Sequence, residues 1–147
     1  MAVKPIPDGY HTINPYMGVR DAQALVTFLK NAFDTHIELL QAPNETILNG
    51  EAQVGDSKML IDQVPKESPN NRLIPMMLYV YVEDVDASYR KAIAAGAESI
   101  EEPADQIYGD RRAAVRDPAN NQWWLATRKE NLSSEEMVQR LMERKRK

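Results

Sequence analysis

The chain of 147 residues contains no cysteine, which excludes disulfides, thiolate nucleophiles and cysteine metal sites together. Histidine is scarce, with two residues, His11 and His36. No run of about 18 apolar residues and no apolar signal-peptide core is present, so no membrane span is expected. The cytoplasm is the default compartment. A positive excess is also missing: 18 Lys and Arg stand against 22 Asp and Glu, a net charge of −4, which argues against a nucleic-acid partner. The one basic block, Arg144 to Lys147, reads as a solvated tail. There is no Gly-rich phosphate loop, nucleotide motif or Ser-His-Asp order. What is there, 43% hydrophobic and 27% charged residues, suits a soluble globular protein of one domain, or two small modules sharing a core.

The most informative stretch is Leu78 to Ala97, LYVYVEDVDASYRKAIAAGA. Leu78, Val80 and Val82 alternate with Tyr79 and Tyr81, the period of a two-faced strand. Val85, Tyr89, Ala92 and Ile93 then mark one apolar helix stripe, which ends on Gly96. The chain says this twice. Tyr16 to Asp34, YMGVRDAQALVTFLKNAFD, runs through Met17 and Val19 into Asp21. The stripe Leu25, Phe28, Leu29 and Ala32 follows.

Taken in order, residues 1–9 form an extended lead-in and His11 to Val19 the first strand, with Asp21 capping the first helix. Strands follow over His36 to Gln41, Thr46 to Val54 and Ser57 to Gln63, with Asn44 supplying the positive φ of the intervening turn. Pro65 to Pro75 is a linker. The second module repeats the order: strand Met76 to Val82, helix Asp86 to Ala95, and strands Glu98 to Glu102, Arg111 to Arg116 and Gln122 to Arg128. Ser133 and Glu136 form a capping box for a last helix reaching Arg146. The expected fold is α+β: two β-α-β-β-β modules (10–64 and 76–128) making curved sheets around a cup, plus a C-terminal helix, in one domain. Strand parity turns Ile13, Met17, Val19, Leu78, Val80 and Val82 toward the helices. It turns Thr12, Asn14, Tyr16, Met77, Tyr79 and Tyr81 into the cup.

This layout, with the phrases GVRDAQALVTFLKNAF, VYVEDVDASYRKAIAAGA and DPANNQWWLAT, resembles the glyoxalase / bleomycin-resistance / extradiol-dioxygenase (vicinal oxygen chelate) superfamily. The opening PIPDGYHTINPYMGVRD and the motif Asp105 to Arg111 are similar to its PhnB-like branch. Relatives usually carry Gly at the second place of Ala119-Asn120, where Asn120 can still adopt the left-handed turn. Catalytic members hold a divalent metal in the cup. The resemblance puts the ligand positions at Asn14, Asp62, Met77 and Trp124, of which only Asp62 suits such an ion. His11 has the wrong parity and His36 sits at a strand entry. No metal and no cofactor is therefore expected.

The replaced positions leave an apolar, aromatic cup, with Tyr16, Tyr79 and Tyr81 beside Asn14, Met77 and Trp124, the composition of a small-molecule pocket. Trp123 should face the core instead. Such residues could equally fill a small barrel. Asn49, Glu51 and Gln53 share a face of the third strand, and PhnB-like relatives often carry His and Glu at the first two. Glu51 or Asp62 is thus the candidate general base. Tyr108, Asp110 and Arg111 form the densest polar cluster, with Arg111 either anchoring an anionic group or pairing with Asp110. Two readings stay open: a small-molecule binder that works by sequestration, and a metal-independent isomerase or lyase. A metal-dependent glyoxalase or dioxygenase and a structural partner-binding role rank behind them. The resemblance implies a homodimer.

Overall fold

The computed structural model describes residues 2–69 and 72–145. Asn70, Asn71, Arg146 and Lys147, parts of the expected linker, helix end and basic tail, lie outside the described residues. Module one comprises β1 (Tyr16–Val19), α1 (Ala22–Phe33), β2 (His36–Gln41), β3 (Ile47–Val54) and β4 (Ser57–Gln63). Module two comprises β5 (Met77–Tyr81), α2 (Val85–Ala94), β6 (Glu98–Asp105), β7 (Asp110–Arg116) and β8 (Gln122–Arg128), and α3 (Ser134–Lys145) follows. The two four-stranded sheets have the orders β1-β4-β3-β2 and β5-β8-β7-β6. In each, the first strand runs parallel to the last and forms one edge. This is the α+β, duplicated architecture that the repeated phrases predict.

The duplication extends to the way each helix is tied down. Asp21 accepts from Ala24 N at 3.0 Å, and Asp84 from Ala87 N at 3.1 Å. The last strand of each module adds a second acceptor: Gln63 takes Ala22 N at 2.8 Å and Thr127 takes Val85 N at 3.0 Å. Both helix starts thus satisfy N–H groups that have no partner within the helix. The apolar stripes of α1 and α2 pack on their own sheets and on each other. One core spans both modules: Phe33 of α1 lies 4.9 Å, centroid to centroid, from the ring of Trp123 in β8. Trp123 is fully buried, with its Nε1 on Asp117 at 2.8 Å.

The first strand is shorter than expected. His11 to Asn14 forms a turn in which Asn14 Oδ1 accepts from His11 N at 3.0 Å and Asn14 Nδ2 donates to His11 O at 2.8 Å. Pro15 lacks the N–H a strand would need, and a self-satisfied Asn competes well with a sheet ladder. Ile13, expected on the helix side, is 88% exposed. After Pro43-Asn44, Glu45 takes the positive φ of 66°, while Asn44 accepts from Thr46 N at 3.2 Å. Asn120 takes φ 67° as expected. β6 runs on to Asp105 through two irregularities in its pairing with β7. The capping box of α3 is present, with reciprocal Ser133–Glu136 contacts of 3.2 Å. No residue of that helix is buried. No helix among the described residues is long and apolar enough to cross a membrane.

Candidate functional site

Each sheet has one face against the helices and one turned away from them, and strand alternation sorts the polar residues between the two. On the outward face of module two, Met77, Tyr79 and Tyr81 of β5 are 67%, 46% and 58% exposed. Register places Tyr79 beside Trp124 and Trp124 beside Ala114, so Arg112, two residues before Ala114, belongs to the same face.

At its centre lies Asp110, 2% exposed. Its Oδ2 accepts from Tyr79 Oη at 2.8 Å and Tyr81 Oη at 3.0 Å, and its Oδ1 accepts from Arg128 Nε. Burial works against its charge, but the donors from Tyr79, Arg128 and Tyr81 prevail and hold its carboxyl below the usual carboxylate range. Tyr79 shifts the other way. Burial, then the hydrogen bonds to Tyr108 and Asp110, push its phenol far above the ordinary value. The cluster continues outward. Tyr108 Oη lies 3.2 Å from Tyr79 Oη and accepts from Arg112 Nη1 at 2.9 Å. Arg112 grips Glu101 through Nε at 3.2 Å and through Nη2 at 2.9 and 3.0 Å, and its guanidinium lies 4.7 Å over the Trp124 ring.

On the outward face of module one, Tyr16 occupies the place that Tyr79 has in module two, five residues before the aspartate that caps the helix, Asp21 or Asp84. It too donates to a carboxylate, Asp62 Oδ2 at 2.7 Å. Arg72 Nη1, from the linker, reaches the same oxygen at 2.5 Å. The linker can approach because Gly18 has no side chain: a Cβ there would stand 2.2 Å from Arg72 O. Glu51 lies 3.9 Å from Lys58 Nζ. Tyr10 of the lead-in settles over them, with Lys58 Nζ 5.1 Å from its ring centre. Burial and the neighbouring Glu51 push its phenol up to about 12. Neither candidate base is an unpaired carboxylate. A cavity of about 680 Å³ runs between the modules, along the free edge of β5, past Phe33, Lys58 and Lys91.

Tyr16, Met77, Tyr79, Tyr108, Asp110 and Trp124 therefore lie on outward faces or beside them, while Asn14 is drawn into its turn. Arg111 is a correction. Its parity puts it on the helix side, where Nε and Nη2 fork onto Asp86 of α2 at 2.8 and 3.0 Å and Nη1 reaches Asp105 at 3.2 Å. It pins the start of α2 rather than anchoring anything in a cup, and Asp110 pairs with Arg128 instead. Arg112, Arg128, Glu101, Arg72 and Tyr10 were missed. Arg112 could have been found by carrying the parity of Trp124 across the hairpin. Arg72 and Tyr10 could not, because they enter from irregular segments.

The metal positions suit a divalent ion poorly. Asp62 is already neutralised by a guanidinium, Asn14 is consumed locally, and Met77 and Trp124 offer no hard donor. Among the described residues, no three His, Asp or Glu side chains are grouped to hold an ion.

Comparison with known proteins completes the picture. The sequence model of the Glyoxalase/Bleomycin resistance protein/Dioxygenase superfamily matches residues 11–125. An uncharacterised protein of Mycobacterium bovis is 31% identical over 123 residues, covering 77% of this chain and 80% of the relative. One of Mycobacterium tuberculosis has the same identity and length of match, covering 72% of the relative. Among solved structures, TioX from Micromonospora superposes with a TM-score of 0.68 at 21% identity, covering 80% of this chain and 98% of the other. The fosfomycin resistance protein FosX from Mesorhizobium loti gives 0.57 at 17% identity, covering 87% and 97%. At those identities the structures speak for the fold alone.

Proposed function

Because the chain belongs to the Glyoxalase/Bleomycin resistance protein/Dioxygenase superfamily, we propose that it is a cytoplasmic, PhnB-like member that binds a small organic molecule without a resident metal ion. The outward face of module two is the binding wall. The observation that carries this is the exposed aromatic surface of Tyr79 and Tyr81 lying directly over a buried, charged Asp110. Burying a carboxylate costs several kcal/mol unless it is well paired. A fold that needed only to fill space would place an apolar residue there. With three donors around it, Asp110 fixes two phenols by their hydroxyls and leaves their exposed rings toward the space in front of the sheet.

A homodimer supplies the opposite wall. The helices of the two modules pack on each other, Met77, Tyr79 and Tyr81 stand exposed on the outward face of module two, and among the described residues β1 and β5 each leave one edge unpaired. A second copy laid against β5 would enclose the aromatic wall and cover that edge. Light scattering is expected to give twice the 16.7 kDa chain mass. A thermal-shift screen with aromatic amines, acids and alcohols is expected to raise the Tm with at least one probe, and Trp124→Ala is expected to abolish that shift. A screen in which nothing shifts the wild type, or in which the shift survives both Trp124→Ala and Tyr79→Ala, refutes the binding wall. Recovery of a bound probe unchanged supports sequestration. Turnover lost in Glu51→Gln supports the isomerase or lyase reading.

A further inference from the structure

The hydrogen-bond polarity of the module-two wall points to the kind of ligand it takes, given that it is a binding wall at all. An ionised carboxylate accepts and cannot donate, so both phenol protons facing Asp110 must point inward from Tyr79 and Tyr81. Tyr79 has then spent its only proton, and the 3.2 Å contact with Tyr108 must run from Tyr108 to the Tyr79 oxygen. Tyr108 in turn accepts from Arg112. Most of the remaining donors of the wall are committed as well. Arg112 spends Nε and Nη2 on Glu101, and Trp124 Nε1 donates to Gln122 Oε1 at 3.0 Å. Arg128 gives Nε to Asp110 and Nη2 to Tyr81 Oη, leaving Nη1 at the rim.

What faces outward is therefore chiefly the rings of Tyr79 and Tyr81, set edge to face 5.4 Å apart, with one lone pair left on each phenol oxygen after the hydrogen bonds from Tyr108 and Arg128. The charges cancel in pairs, Asp110 with Arg128 and Glu101 with Arg112, so no net positive field draws an anion. Ring faces attract cations, and phenol oxygens accept from N–H groups. We infer that the wall selects flat ligands carrying a cationic or N–H-donating group, and discriminates against carboxylates of the same shape. The anion anchor expected at Arg111 has no counterpart here.

Three probes with one ring system test this: 1-naphthylmethylamine, 1-naphthalenemethanol and 1-naphthoate, measured by calorimetry at pH 7 on the full chain. The amine is expected to bind at least tenfold more tightly than the carboxylate, with the alcohol between. Double replacement Tyr79→Phe and Tyr81→Phe, which keeps the rings and removes the oxygens, should narrow the gap between amine and alcohol. Circular dichroism checks that this variant is folded; should it not be, Tyr81→Phe alone is expected to show the same narrowing in smaller measure. Equal or tighter binding of the carboxylate overturns the inference while leaving the binding wall intact. Failure of all three to bind overturns both.

Discussion

Asp110, which opens β7, is charged in the interior because three donors from two other strands converge on it: Tyr79 and Tyr81 on β5 and Arg128 on β8. The sign of its linkage follows. Its folded pKa is depressed, so its contribution is complete above the unfolded value of about 3.9 and is lost as pH falls below that through the folded value. Wild-type Tm is expected to drop steeply below about pH 4. Asp110→Asn should weaken that dependence while costing roughly 1–3 kcal/mol at pH 7, the usual worth of a buried charged hydrogen bond. Denaturant melts at pH 3 and 7 compare the two. The same replacement removes the negative charge that helps hold the Tyr79 proton, so ultraviolet titration should show one phenol ionising earlier in the variant. A Tm profile unchanged by Asp110→Asn would show that the carboxylate is not charged in the fold.

At the scale of elements, two conspicuous residues have jobs other than binding. Arg111 joins β7 to the first turn of α2 through a bidentate fork on Asp86. Arg111→Ala is therefore expected to lower the Tm and leave probe affinity unchanged, which thermal melts and calorimetry together check. Gly109 makes the turn that presents Tyr108. It sits at φ +99°, and a Cβ there would stand 2.5 Å from Glu130 O. Gly55 also has positive φ, +58°, but nothing lies within 4 Å. Gly109→Ala should thus cost several kcal/mol, against about 1 kcal/mol for Gly55→Ala, since only the former adds a backbone clash to an unfavourable φ. Equal melting losses would remove the clash as a cause.

At the scale of the whole molecule, the C-terminal helix bears on the proposed dimer. α3 is tied to the domain by Arg140, which reaches Ile107 O at 3.2 Å and Glu130 at 2.8 Å. Its apolar stripe of Val138, Leu141 and Met142 is exposed. Those anchors stand beside the Tyr108 turn, at the margin of the aromatic wall. Truncation after Asn131 is expected to leave the monomer's circular dichroism otherwise unchanged, apart from the lost helix, and to shift the light-scattering mass toward one chain. A truncated protein that is fully dimeric would place the proposed dimer contact on the sheets alone.

The duplication, the Asp21 cap, the Ser133–Glu136 capping box, the hairpin at Asn120 and the separation of Trp123 from Trp124 were all readable from residue order. Each depends on neighbours within one strand or one helical turn, where alternation and capping chemistry operate. The resemblance of four separated phrases carried the fold. What residue order could not supply was partner choice across strands. Arg111 and Arg112 are adjacent and chemically identical, and only the register of β7 against β8 sends one to α2 and the other to the wall. The pairing of Asp62 with Arg72 likewise waits on a linker crossing Gly18. Tertiary structure made those choices because a side chain's partner is set by which backbones come within a few ångströms, and that distance belongs to the folded chain as a whole.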